Sequence, residues 1–415
     1  MTFSQKLILN GTQTFLNYKF KQNFKAIKKG DTKKLPSKKS YMMYIHIPFC
    51  HTFCTYCGFH KYIYDELLAK KYFQALREEI KNAKELGFDF DTLYVGGGTT
   101  LVNENELLKT LELCKSLFSI KEISCESDPN HIKPDKLRLF NGLIDRLSCG
   151  VQSFDDEFLK KTARYQKFGS SKELIKKLEA AIGILPIFSI DLIFNFPAQN
   201  EKDLLKDLQI AQKLNPTQIT TYPLMKSKLT KKLIAKSFGK DLVDKEFEFY
   251  KLIQDFFKAY QQNNCWSFSL EKNSLSDEYV SYHNEYVGFG SGAFSFLDNK
   301  LLVNAFDLNE YESLGENKLI AEFDFKRKDI LRYNFLSKIF SLELDIDKFN
   351  ENFTCDIKKD LSLELALLKF SSFLFERDKK FILSDEGKYL FVLLMKEFYT
   401  NMDTVRAFFK ERILH

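Results

Sequence analysis

The 415-residue sequence has no apolar run approaching the length of a membrane span. The longest candidate, Tyr389 to Met395, suits a buried helix. The opening residues, MTFSQKLILNGTQTF, contain no apolar signal segment, so a cytoplasmic protein is expected. Basic helices are missing, as is any aromatic stacking motif within a basic stretch, and no nucleic-acid partner is expected. Disulfides are not expected in a cytosolic chain. The eight cysteines (50, 54, 57, 114, 125, 149, 265 and 355) therefore read as free thiols. Five are scattered and read as small buried apolar residues. The remaining three are clustered, and a fourth is lacking where one would close the set: CHTFCTYCGF, residues 50 to 59, ends on Phe59.

What is present fits a soluble globular protein. Hydrophobic residues make up 44% and charged residues 28%, and the length suits one large domain plus one or two smaller ones. The charge is uneven. Lys19 to Lys39 holds nine lysines and one aspartate, a local +8 that leaves the rest of the +6 chain at −2. Such an arm reads first as a solvated tail, and second as a device that steers an acidic ligand or nucleic acid, although nothing else in the sequence supports nucleic acid.

A repeated unit runs through the first two thirds of the chain. MMYIHIP (42 to 48), DTLYVGGG (91 to 98), EISCES (122 to 127), DRLSCGVQ (145 to 152), IFSIDLIF (187 to 194) and TQITTYPL (217 to 224) read as strands. Helical stretches separate them. One spans about Asp65 to Leu86, with Leu68, Tyr72, Leu76, Ile80 and Ala83 on one face and Gly87 as its stop. The next carries Leu107, Leu108, Leu111 and Leu113 and is capped by Asn103 or Asn105. Six β/α units with strands apolar enough to be covered on both sides predict an α/β fold, a partial (β/α)6 barrel. Chemistry then belongs at the carboxyl ends of the strands. The unusual residues fall there: the cysteines, a triple glycine, Glu126, Gln152 and Asp191.

The expected division is a basic arm over 1–40, a core barrel over 41–270, a glycine-rich connecting segment over 271–326 packing on the barrel, and a helical, winged-helix-like domain over 327–415. YVGFGSGAFSFL (286 to 297) is read as a turn folding back over the barrel mouth, and KKFILSDEGKYLFVLLMKEF (379 to 398) as strand, turn and helix.

Three thiolates at the spacing C-x3-C-x2-C bind zinc or iron–sulfur clusters. A zinc site wants a fourth protein ligand, for which His51 and His60 are the candidates; three plain thiols are the remaining alternative. The favoured reading is a [4Fe–4S] cluster held at three irons, with the fourth open to a ligand, as catalytic metal sites keep a position open.

The spacing resembles that of the radical S-adenosylmethionine (SAM) superfamily. YIHIPFC, GGGTT, CESDPN, RLSCGVQSFDDEFLKKTAR, DLIFNFP and GFGSGAFSF follow in order. Together they look like the oxygen-independent coproporphyrinogen III oxidase-like family, over roughly residues 40 to 400. The resemblance implies SAM on the open iron of a cluster ligated by Cys50, Cys54 and Cys57, cleaved to methionine and a 5′-deoxyadenosyl radical. It implies that Tyr44 contacts SAM and that Tyr56 lies near a nucleoside. Gly96, Gly97 and Gly98 would let the backbone approach the methionine end, with Thr99 following. Glu126 would hold the SAM amine, and Gln152, Arg164 and Asp191 would bind SAM. Asp191 suits ribose hydroxyls and Arg164 a carboxylate, of SAM or of a propionate. Phe294 would pack near the adenine. The implied partners are a tetrapyrrole and a low-potential electron donor such as flavodoxin or ferredoxin.

The chain departs from the oxidase pattern at Phe59, where oxidases carry a fourth cysteine. Thr100 replaces the common proline after Thr99, and Asn195-Phe196-Pro197 the common glycine-leucine-proline. Phenylalanine at 59 resembles two sister groups, the heme chaperones and the enzymes of anaerobic heme utilisation that methylate and open the porphyrin ring. The lysine-rich lead-in and Cys57-Gly58-Phe59 look more like the second. Heme utilisation is therefore the expected function, with coproporphyrinogen oxidation and heme transfer as alternatives.

Overall fold

The computed structural model describes residues 34–37, 40–239, 244–271 and 283–413, with the backbone of 25–26. Most of the lysine-rich arm lies outside these residues. Among the described residues, no helix is long and apolar enough to cross a membrane.

Six parallel strands build the centre: β1 (Tyr41–Ile47), β2 (Phe90–Gly97), β3 (Glu122–Ser127), β4 (Arg146–Gln152), β5 (Ile187–Phe194) and β6 (Gln218–Pro223). They pair in sequence order, each parallel to the next. Nearly every β1 side chain is buried, as a strand covered on both faces requires. Helices α1 (Glu66–Glu85), α2 (Glu104–Leu117), α3 (Ser171–Ala181) and α4 (Glu201–Lys213) lie between them in the chain. Asp65 caps α1 by accepting from Leu68 N–H, and Gly87 follows its end at φ +89°, a left-handed value glycine adopts without strain. Tyr72, Leu76, Ile80 and Ala83 are buried on its inner face, with Leu68 partly so. Asn103, not Asn105, caps α2 through Glu106 N–H.

The sheet does not stop at six strands. Two short strands, β7 (Gln261–Asn264) and β8 (Ser267–Ser269), extend it beyond β6. At the other edge β9 (Tyr286–Phe289) pairs parallel to β1, and β10 (Phe294–Leu297), β11 (Lys300–Asn304) and β12 (Leu319–Asp324) continue antiparallel. The segment expected over 271–326 as a connector thus supplies four strands of the main sheet. Its glycine-rich turn joins β9 to β10 against the end of β1. A Cβ at Gly290 would lie 2.7 Å from the His46 carbonyl oxygen.

Helices α5 (Glu246–Phe256) and α6 (Arg327–Ile339) follow β6 and β12 respectively. The C-terminal part adds a three-stranded antiparallel sheet of Glu343–Asp345, Lys380–Leu383 and Leu374–Arg377, then α7 (Asp385–Ile413). Helices and a small hairpin sheet are the composition expected for 327–415, although α7 runs beyond the predicted Phe398.

One arm residue is not solvated. Lys34 Nζ reaches Glu79 Oε1 at 3.3 Å and the Gly288 carbonyl at 2.6 Å. Glu79 also accepts from Tyr311, Asn304 and Gly290 N–H, so a buried carboxylate is fully partnered. The arm is pinned to α1 and β9 at this point.

Candidate active site

The carboxyl ends of β1 to β6 open into one cavity of about 310 Å3. Cys50, Cys54 and Cys57 line it, together with Tyr44, Tyr56, Gly97, Gly98, Thr99, Glu126, Gln152, Arg164, Asp191 and Phe294. The three cysteines and these ten residues therefore meet at one place, from positions up to 250 residues apart, whereas His51, His60, Gly96 and Thr100 do not line it.

The cysteine loop leaves β1 and is closed by a short parallel pairing of Phe49–Cys50 with Tyr62–Ile63. Thr55 N–H donates to the Thr162 carbonyl, which ties the loop to the turn before Arg164. Burial pushes the Cys50 thiol up, while Lys167 and a hydrogen bond from Thr99 act the other way. Among the described residues, no group of three His, Cys, Asp or Glu sits close enough to hold a single metal ion. His60 is buried, bonded to Ser291 Oγ at 3.1 Å, and His51 stacks on His131 at 5.6 Å.

The triple glycine does something its sequence position did not reveal. A Cβ on Gly98 would lie 2.5 Å from Phe49 O and 2.9 Å from Phe49 N. Gly98 N–H and Thr99 N–H donate to Ile47 O and Phe49 O. The bare backbone of the turn thus packs on the backbone that leads into Cys50. Gly97, at φ +117°, sits against the His46 ring, and a Cβ on Gly96 would lie 3.1 Å from the Glu126 carboxylate.

Glu126 accepts from Tyr94 Oη at 2.9 Å and Gly97 N–H at 3.2 Å. Burial drives its pKa up to about 7, against the pull of those two bonds. Thr100 Oγ1 donates to the Glu126 carbonyl, a bond the family's common proline could not make. Asp191 accepts from Ser148 and Ser189, on β4 and β5, and burial raises its pKa also. Arg164 donates to Cys54 Sγ at 3.4 Å, Tyr56 Oη at 3.1 Å and the Gly150 carbonyl, and lies over the Phe168 ring. Gln152 stands at a bulge ending β4, with φ +77°. Asp207 on α4 holds the following turn by accepting from Ser153 Oγ and Phe154 N–H, both at 2.7 Å. Asn195 has φ +66°, so asparagine serves where the family's glycine stands.

Four polar atoms of cavity-lining residues are buried without a partner: Gln152 Oε1, Arg164 Nε, Ser127 Oγ and Arg406 Nε. Unmet groups of this kind call for a polar ligand. The donor set suits an amino-acid nucleoside: Glu126 for an ammonium, Asp191 for a ribose diol, Arg164 for a carboxylate.

The sequence did not point to the wall opposite. Phe398, Tyr399, Met402, Asp403 and Arg406 of α7 line the same cavity, as do His46, Tyr94, Asp128 and Tyr286. Asp128 ties Thr99, His131 and Lys167 together; burial opposes its ionisation, but those partners hold its pKa well below the carboxylate range.

The raised pKa of Glu126 has a consequence for stability. Its folded pKa of about 7 exceeds the ordinary 4.5, so the folded state prefers the proton. The Glu126 contribution to the stability of the ligand-free protein is fully present below pH 4.5 and is lost as pH rises through about 7. Asp207, also pushed up to about 7 by burial, adds a fall of the same sign. Thermal melts of ligand-free protein from pH 5.5 to 8 are expected to show a declining midpoint, and Glu126→Gln to lessen the slope without abolishing it. An unchanged slope would contradict this.

Comparison with known proteins agrees with this geometry. The family model of the Radical SAM superfamily matches residues 44–211. The heme chaperone HemW of Bacillus subtilis (strain 168) is 29% identical over 302 residues, covering 69% of this chain and 77% of that protein. The oxygen-independent coproporphyrinogen III oxidase of Helicobacter pylori (strain J99) is 29% identical over 389 residues, covering 84% of each. The structure of coproporphyrinogen III oxidase (HemN) from Escherichia coli superposes with a TM-score of 0.71 at 22% identity, over 87% of this chain and 91% of that one, which shows a shared fold. Radical SAM proteins use a [4Fe–4S] cluster and SAM, and the three thiols and the partnerless polar atoms of this cavity fit both. Residues 44–211 match the Radical SAM superfamily, and the chain is similar over most of its length to oxygen-independent coproporphyrinogen III oxidases and heme chaperones.

Proposed function

We propose that Cys50, Cys54 and Cys57 ligate a [4Fe–4S] cluster, that SAM binds beside it, and that the protein acts on a tetrapyrrole. The observation carrying this reading is the meeting of three thiols with Glu126, Asp191, Gln152 and Arg164 in one cavity that leaves buried polar atoms unmet. When bound, the cluster supplies the electron that splits SAM into methionine and a 5′-deoxyadenosyl radical. Glu126 holds the amine, with Tyr94 and Gly97 fixing its carboxylate. Asp191 takes the ribose hydroxyls, with Ser148 and Ser189 orienting it. Arg164 and Gln152 take the carboxylate end of the nucleoside, and Tyr44, Tyr56 and Phe294 wall the base. The electron comes from a low-potential donor of the flavodoxin or ferredoxin class, in the cytoplasm.

The tetrapyrrole class is supported by the names of the relatives and by a cavity wall rich in rings: Tyr94, Tyr222, Tyr286, Phe398 and Tyr399. Heme utilisation by methylation and ring opening rests on Phe59 and the lysine-rich lead-in. The relatives above are oxidases and chaperones, and they support the ligand class without that reaction. Oxygen-protected protein given SAM, a low-potential reductant and heme is expected to release 5′-deoxyadenosine and consume the porphyrin. Stable heme binding without loss of heme would favour a chaperone. Conversion of coproporphyrinogen III to protoporphyrinogen would establish the oxidase.

A further inference from the structure

The wall contributed by α7 carries a buried charge that the proposed SAM site does not use. Phe398, Tyr399, Met402, Asp403 and Arg406 recur at helical spacing, so one stripe of α7 faces the cavity. Arg406 is 8% exposed. One of its terminal nitrogens donates to Asp403 Oδ1 at 2.6 Å. Its guanidinium lies 5.2 Å from the Phe59 ring centroid and 5.6 Å from that of Phe294, a cation–π position between two rings. Its Nε is buried and has no partner. Gly58 lies against this stripe: a Cβ there would lie 2.0 Å from Asp403 Oδ2, so a larger residue would displace the Asp403 carboxylate.

A guanidinium that spends one nitrogen on an aspartate and leaves another dry and unmet is half of a fork. The fork matches a carboxylate, and its flanking rings match a flat apolar body. We propose that Arg406 binds a carboxylate of the substrate, an aromatic ring compound bearing acid side chains, and that α7 thereby selects the acid over its neutral analogue. This rests on the tetrapyrrole reading above and adds the residue that reads the acid groups. SAM carries a carboxylate as well, so the test must separate the two sources.

The test uses full-length, cluster-loaded protein and two probes, coproporphyrin and its methyl ester, titrated by fluorescence quenching, with SAM affinity measured in parallel. Loss of a charge-assisted bond is expected to weaken the free acid about tenfold to a hundredfold in Arg406→Gln. Ester and SAM affinities, and iron per chain, are expected to stay at wild-type values. Arg406→Lys keeps the charge without the fork and is expected to fall between, which guards against a folding defect in the glutamine variant. Unchanged binding of the free acid in Arg406→Gln, or equal losses for acid and ester, would overturn the assignment and leave the tetrapyrrole reading standing. A loss confined to SAM would assign the fork to the nucleoside instead, against the proposal. Wild-type protein that binds neither porphyrin would overturn both readings.

Discussion

Cys54→Ala is expected to strip the protein of iron and of visible absorbance while the chain stays folded. Cys54 is only partly buried, in a loop outside the sheet. Its thiol accepts one N–H from Arg164, and no apolar core forms around it. Its removal therefore costs the fold little. On the ligation proposed above, the same change removes one of three anchors of the cluster, and a site held at three corners does not survive on two. Iron and sulfide per chain should drop from about four each to near zero, with the far-ultraviolet dichroism unchanged. Cys114→Ala, on the buried face of α2, should do the reverse: iron retained, stability lowered by about 1–2 kcal/mol for a small buried group.

Gly98→Ala is expected to lose both cluster and stability. The added methyl would meet Phe49 N and O and Ile47 O, all main-chain atoms within 3.0 Å. Backbone inside a parallel sheet does not yield as the tip of a flexible side chain would. Relief requires the end of β1 to move away from β2, breaking the Gly98 to Ile47 and Thr99 to Phe49 bonds and displacing Cys50. Overpacking of this kind costs about 1–3 kcal/mol. The measurements are a denaturant midpoint and iron per chain. A variant with wild-type iron would show that the turn and the cysteine loop are not coupled in this way. Gly142→Ala is the control for a glycine with open space around it, although its φ of +75° carries a small strain of its own.

Much of the barrel was legible because each strand pairs a short apolar run with a stop. Glu122–Ser127 and Ile187–Phe194 fall at the bounds the sequence suggested, and the others shift by one residue at either end. The site was legible for a different reason. Its residues sit at strand ends within six ordered motifs, and resemblance carried what periodicity could not. The extension of the sheet by β9 to β12 was hidden because strands of four to six residues broken by glycine look like a connector. Their pairing is decided by tertiary contact with β1, which no local pattern encodes. Lys34 was hidden in a charge run. The sign of its partner was Glu79, a carboxylate on the apolar face of α1 between Leu76 and Ile80. The cavity face of α7 reads as ordinary core, since Phe398 and Met402 are apolar at helical spacing. Only Asp403 and Arg406, charged on that same stripe, marked it as something else.

Metal analysis of oxygen-protected wild-type protein bears most directly on the central claim. The account predicts about four irons and four acid-labile sulfides per chain, a brown chromophore, and a change in the reduced cluster's paramagnetic resonance when SAM is added. One zinc per chain, without sulfide or colour, would contradict it.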